Sequence, residues 1–335
     1  MKTHFIGLAL IAILAFGAPT LATESTLAIA VTESTNGEYD DDINQAISAG
    51  ATSTSMTVFW DEADKGGEYA PEFDWPSVAN AYYPSKNMGL ILSLPVIDTV
   101  ADRRPKDLQN LDWDDPKVTR RFETYVTEIL KRMRNTNLVA ISIGNEIDGH
   151  LTRDQDWQDY QKFYIAAKDI VHKLRPEVVV GVTITWQGMQ DQNAQRVTSL
   201  NAHSDAMFVN YYPLDNRFRV LPPADISAQL DAMIRAANGK PVYLLETGYP
   251  SGGCGSSEAM QLAYYQELLT AWEARKSAVP LITLVWLHDI AQSTVDHYAR
   301  YYGVGNRCFV DYLATLGLRS QDGKNKPAFD WLINR

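Results

Sequence analysis

Two glutamates stand where an apolar run gives out. Ile143-Gly144-Asn145-Glu146-Ile147 closes one run, and Leu244-Leu245-Glu246-Thr247-Gly248-Tyr249-Pro250 closes another. An acid directly after a fully apolar strand adds little to solubility. Acids also favour the first turn of a helix, but that habit does not explain why both glutamates occupy the same kind of position. If the two runs are parallel strands of a closed barrel, their tips bring the carboxylates toward a common centre from opposite sides. Paired carboxylates about 5–5.5 Å apart suit cleavage of a glycosidic bond with retention, one attacking the anomeric carbon while the other first donates and then accepts a proton.

The elements that must position such a pair are legible. Eight short β-branched and apolar runs recur along the chain: Leu27–Val31, Thr54–Phe59, Gly89–Leu94, Leu138–Ile143, Val178–Ile184, Ala206–Val209, Val242–Leu245 and Leu281–Leu287. Amphipathic helical patterns separate them. Phe122, Tyr125, Val126, Ile129, Leu130 and Met133 follow helical spacing, and Trp157, Tyr160, Tyr164, Ala167, Val171 and Leu174 repeat it. Ile43, Ala46 and Ile47 mark the first helix, Ile226, Leu230, Met233 and Ile234 the sixth, and Leu262, Tyr265, Leu269 and Trp272 the seventh, with the fifth the faintest. Alternating strands and helices imply an α/β fold with a parallel sheet buried on both faces. The competing doubly wound sheet usually has a glycine-rich phosphate turn after its first strand. Thr32-Glu33-Ser34-Thr35-Asn36 is not one. The reading is therefore a (β/α)8 TIM barrel forming a single domain over residues 23–335, with its chemistry at the C-terminal strand ends.

Gly144-Asn145-Glu146 at the fourth strand and Glu246-Thr247-Gly248-Tyr249-Pro250-Ser251 at the seventh resemble the clan A glycoside hydrolases. The second motif is most similar to family 17 β-glucanases, while Gly144-Asn145-Glu146-Ile147 and Tyr211-Tyr212-Pro213 also resemble family 53 endo-β-galactanases. The resemblance implies that Glu146 is the acid/base, Glu246 the nucleophile and Asn145 the donor to the sugar 2-hydroxyl. It also implies that a sixth-strand tyrosine bonds the nucleophile. In Phe208-Val209-Asn210-Tyr211-Tyr212-Pro213, strand alternation selects Tyr212, with Asn210 beneath it. Trp286, at the eighth strand, resembles the clan's aromatic platform under the sugar, and Trp60 and Trp186 are further candidates at strand ends. The acid needs surroundings that raise its pKa, and the nucleophile needs donors that keep it ionised. The closing stretch, Leu316-Gly317-Leu318, Asp322-Gly323 and Lys326-Pro327-Ala328-Phe329, resembles the end of such hydrolases and implies a whole catalytic domain.

Departures from the clan pattern are specific. Ser55-Met56-Thr57-Val58-Phe59-Trp60-Asp61 lacks the arginine that usually supports the nucleophile from strand two. Pro95-Val96-Ile97-Asp98 replaces the usual acidic and histidine pair of strand three. Asp61 and Asp98 are left without a role. The missing arginine motivates a second hypothesis, an inactive barrel that binds carbohydrate. A transglycosylase on the same scaffold is a third.

Composition narrows the rest. Residues 1–22 read as a secretory leader with an apolar core, ending in Thr20-Leu21-Ala22, so a secreted or periplasmic protein without a membrane anchor is expected. The net charge of −11, which becomes −12 without that leader and its Lys2, disfavours a nucleic acid partner. A β-linked carbohydrate and a monomer are expected instead. The six histidines form no His-Glu-x-x-His, and neither a Gly-x-Ser-x-Gly elbow nor a Walker loop occurs, so neither cofactor nor metal is expected. Asp40-Asp41-Asp42 reads as a capping and dipole feature of the first helix, without the ligand spacing of a calcium loop. Cys254 and Cys308, the two cysteines present, follow neighbouring strands and are compatible with a bridge or with two free thiols.

Overall fold

The computed structural model describes residues 25–35 and 37–335; the expected leader, residues 1–22, lies outside the described residues. Eight parallel strands form the barrel: β1 (Thr26–Ala30), β2 (Ser53–Thr57), β3 (Gly89–Asp98), β4 (Leu138–Asn145), β5 in two pieces (Val179–Gly181 and Thr183–Thr185), β6 (Met207–Tyr211), β7 (Val242–Thr247) and β8 (Leu281–Val285). Closure occurs at both ends of the order. β1 pairs with β8, while the first piece of β5 pairs with β4 and the second with β6. The interruption has a steric companion: a Cβ on Gly181 would lie 2.6 Å from the Phe208 ring. Phe208 stacks on Tyr243 at 5.3 Å and fills the barrel interior with Ala28, Ile91, Ala140, Ala206, Leu245 and Leu281. The lower barrel is thus a packed plug, as this fold requires.

The helical layer comprises α1 (Tyr39–Ser48), α2 (Trp75–Ser85), α3 (Pro116–Arg132), α4 (Asp154–Leu174), α5 (Ala194–Asn201), α6 (Ile226–Ala236), α7 (Glu258–Glu273), α8 (Gln292–Tyr302), α9 (Arg307–Ala314) and α10 (Pro327–Ile333). Sequence dictates the bounds of α3 plainly. Asp115 caps it by accepting from the Lys117 amide at 2.7 Å, Pro116 occupies the first turn, and Lys131 and Arg132 face the carbonyl end. Val118, Phe122, Tyr125, Val126, Ile129 and Leu130 are its buried stripe.

Trp60 and Trp186, expected as sugar platforms, are instead packing residues. The chain turns at Phe59 into a short helix, Trp60–Ala63, so strand alternation no longer aims the side chain at the barrel mouth. Trp60 is fully buried, with its ring 5.6 Å from Phe122 and 5.7 Å from Tyr125. Trp186 is also buried and donates through Nε1 to Gln229 Oε1 at 2.7 Å.

After β8 the chain makes an excursion, α8 and α9, before α10 returns against α7. Two devices hold it. Lys326 Nζ, buried, donates to Asp289 Oδ1 at 2.6 Å, to Ser251 Oγ at 2.8 Å and to the Gly317 carbonyl at 2.8 Å. Cys254 and Cys308 form a disulfide that joins the loop after β7 to the start of α9 across 54 residues of sequence. Restricting the unfolded chain in this way stabilises the folded one. The double substitution Cys254→Ala, Cys308→Ala should cost about 2–5 kcal/mol, read as a lower urea midpoint; an unchanged midpoint would show that the bridge contributes nothing.

Candidate active site

Sheet pairing loses its regularity at the mouth of the barrel. The register shifts between Leu94 and Asp98 in β3, between Val209 and Asn210 in β6, and between Leu244 and Thr247 in β7. Such irregularities re-aim side chains. Here they set Asp98 opposite Asn145 and Asn210 opposite Glu246. The polar strand ends stay hydrogen-bonded, so β4 runs to Asn145, β6 to Tyr211 and β7 to Thr247, further than apolar patterning indicates. Gly144 makes the last turn of β4 possible. Its φ is +90°, and a Cβ there would lie 2.5 Å from the Tyr160 hydroxyl. Glu146 follows in a left-handed conformation, φ 46°, at the start of a single 3-10 turn.

This local geometry brings Glu146, Glu246, Asn145, Asn210 and Tyr212 together. Asn210 Nδ2 donates to Glu146 Oε1 at 3.1 Å and Thr99 Oγ1 to Oε2 at 2.9 Å. The Tyr212 hydroxyl donates to Glu246 Oε2 at 2.6 Å. Asn145 Nδ2 donates to Asp98 Oδ1 at 3.0 Å, and its own Oδ1 accepts from Asn210 at 3.3 Å. Asp98 is completed by Tyr301, whose hydroxyl donates to Oδ2 at 2.8 Å. Asp61 takes no part; it pairs with Arg103 at 3.0 Å.

Neutral donors surround the two glutamates. Among the described residues no lysine or arginine pairs with either, and the charges that act most on them are negative: Asp148 and Asp98 on Glu146, Glu146 and Asp98 on Glu246. Burial is the largest influence and pushes both carboxyls well above the usual range, with the charge of Glu146 adding to the rise at Glu246. The expected contrast, a raised acid beside a nucleophile kept ionised by several donors, is absent from the free site. Tyr212 donates to Glu246 and Asn210 also favours its charged form, but no arginine does. Two carboxyls in such surroundings titrate as a coupled pair, the charge of one opposing ionisation of the other.

Trp286 stands half-buried just past the end of β8, on the same apolar cluster as Tyr212, and is stacked on Tyr298 with ring centroids 6.3 Å apart. Tyr312 of α9 packs edge-on against Tyr212 at 5.5 Å. Sequence reasoning missed Thr99, Tyr298, Tyr301, Tyr302 and Tyr312. A threonine one residue beyond a strand end has no distinguishing signal. Tyr298, Tyr301 and Tyr302 fall at helical spacing and read as an ordinary apolar stripe.

No curated protein matches the chain. The sequence profile of glycosyl hydrolase family 53 matches residues 29–295. Among solved structures, the Ignisphaera aggregans GH53 catalytic domain aligns with a TM-score of 0.61 at 15% identity, covering 94% of this chain and 96% of that one. The GH5_18 protein of Bifidobacterium longum subsp. longum aligns at 0.72 and 12% identity, covering 93% and 78%. An exo-β-1,4-mannosidase from Opitutaceae bacterium strain TAV5 aligns at 0.70 and 17% identity over 92% of this chain, which spans 59% of that protein's length. At such identities the likenesses establish the barrel fold. The profile decides between the two families that the strand-end motifs resemble: the chain belongs to glycosyl hydrolase family 53 and is a glycoside hydrolase.

Proposed function

We propose that the enzyme cleaves β-linked poly- or oligosaccharides with retention, by double displacement between Glu246 and Glu146. One observation carries the reading: two glutamates from opposed strands meet in one site where burial raises both and no cation neutralises either. A pair built only to stabilise the fold would be mated to lysine or arginine, because uncompensated buried charge is costly.

The donors suit a division of labour. Tyr212 holds Glu246 Oε2, which leaves Oε1 to attack the anomeric carbon. That carbon gains positive character in the transition state, which favours an anion at Glu246, while the glycosidic oxygen is a base that takes the proton from Glu146. Once Glu146 has given the proton away, Asn210 and Thr99 donate to its new charge. In the second step Glu146 takes a proton from water, and the water opens the glycosyl ester on Glu246. Asn145 keeps one amide N–H on Asp98 and offers the other to the 2-hydroxyl. Trp286 supplies an apolar face for the sugar ring. Family 53 membership puts β-galactans first on a substrate panel that also holds β-glucans, β-mannans and β-xylans.

Azide distinguishes the two roles. Glu146→Ala should lower kcat by about 10²–10⁴-fold and, with added azide, yield a glycosyl azide of retained configuration. Glu246→Ala with azide should yield the inverted one. Exchanged configurations would exchange the roles, and wild-type rates in either variant would end the two-carboxylate mechanism.

Tyr212→Phe removes the hydrogen bond that lowers the pKa of Glu246. The acidic limb of the kcat/KM profile, where Glu246 must lose its proton, should move to higher pH. The maximum should fall roughly tenfold to hundredfold, the worth of a bond to a charged group. A limb that stays in place would show that Tyr212 does not act on Glu246.

A further inference from the structure

One side of the barrel mouth is closed by residues that lie past the end of the family 53 match at residue 295. Helix α8 carries Tyr298, Tyr301 and Tyr302 at this side, each half-buried, with Tyr298 and Tyr302 seated on the apolar cluster of Val295, Phe309 and Tyr312. Tyr298 stacks on Trp286. Tyr301 reaches from the β8 excursion to the tip of β3, where its hydroxyl lies 2.8 Å from Asp98 Oδ2 and 3.1 Å from the Asp98 carbonyl. Strand order places β1 and β2 between β8 and β3, so this contact spans the mouth above both. Tyr302 sits beside the same carboxylates: after burial, the charges of Glu146, Asp98 and Glu246 are what raise its pKa. Behind the tyrosines, Phe309 packs edge-on against Tyr302 at 5.8 Å, and the Cys254–Cys308 disulfide fixes the start of α9. The span is braced on both flanks.

We propose that Tyr298, Tyr301 and Tyr302 wall off the glycone side of the cleft, so that the enzyme accepts the non-reducing end of a β-linked chain and releases products one or two sugars long. The inference rests on the reading of Glu146 and Glu246 as the hydrolytic pair. The sugar whose anomeric carbon faces Glu246 lies over Trp286, and Tyr298 stacks beside that indole. A longer glycone must pass where Tyr301 meets Asp98. The leaving group lies on the Glu146 side and extends away from α8, where the span does not reach. A polymer threading through the cleft would have to break the Tyr301–Asp98 contact, and with it the support Asp98 gives to Asn145.

The test uses a β-linked hexasaccharide of the preferred sugar, labelled at its reducing end, in two forms: with the non-reducing terminal sugar free, or blocked by a bulky cyclic acetal. The wild type should shorten the free form by one or two sugars from the first time point and should act on the blocked form about 100-fold more slowly or worse, because the wall clashes with the block. Tyr298→Ala with Tyr301→Ala should restore cleavage of the blocked form and give internal products; Tyr301→Phe, which loses only the latch, should do so in part. Internal products from the wild type, or equal rates on the two forms, overturn the wall while leaving the hydrolase reading intact. Binding of the two forms to Glu246→Gln tests the wall without turnover. Preference for the free form supports the wall, and equal affinity overturns it. Absence of turnover by the wild type on every β-linked substrate overturns the proposed chemistry instead.

Discussion

Two like charges brought together away from water repel one another and lose hydration, and the top of this barrel is organised around that cost. The surroundings do not relieve it with a cation. Glu146 receives hydrogen bonds from Asn210 and Thr99, Glu246 from Tyr212, and the nearby charges, Asp98 and Asp148, make the repulsion worse. Keeping a proton on one member of the pair is the remaining way to lower the energy. A pair in which one member keeps its proton has an acid and a base available at once, and a substrate has only to decide which is which.

Stability for this arrangement comes from elsewhere. Below the site, the interior is filled by Phe208, Tyr243, Leu245 and smaller apolar residues, and outside the strands Trp60 packs into Phe122, Tyr125 and Phe163. Register shifts in β3, β6 and β7 fall at the mouth, and β3 carries a second one at its start, between Leu90 and Ile91. Regular pairing carries the fold, and bulged pairing aims the chemistry. The β8 excursion adds a third layer, held by a buried lysine and a disulfide, whose tyrosines complete the hydrogen-bond chain that runs from Glu146 through Asn210, Asn145 and Asp98 to Tyr301.

How much of this could be read from the sequence depends on whether a residue's surroundings are local or distant. Parallel strands buried on both faces announce themselves as apolar runs, and the glutamates are conspicuous because they interrupt that pattern. Strand ends are less visible: polar residues such as Asn145, Asn210 and Thr247 continue the ladder after apolar patterning stops. The tryptophans show the limit most clearly. Trp60, Trp186 and Trp286 all follow strands, yet the chain's turn after β2 sends Trp60 into the helical layer, Trp186 is tied down by Gln229, and Trp286 remains at the mouth. Nothing within a few residues of each distinguishes them. The tyrosines of α8 are hidden by resemblance to an ordinary buried stripe, and the partner of Tyr301, Asp98, lies 203 residues away.

The central claim is that Glu146 and Glu246 titrate as a raised and coupled pair, and a carbon-13 NMR titration of labelled glutamate carboxyls measures this directly. In the wild type, two signals should titrate above the ordinary carboxylate range, with Glu246 higher because Glu146 is charged when it ionises. In Glu146→Gln the Glu246 midpoint should fall by about one unit or more, the size of a like-charge effect at close range. If both carboxyls ionise at ordinary carboxylate pH, and Glu246 does not move when Glu146 is made neutral, the two groups are not coupled and the account of the site fails.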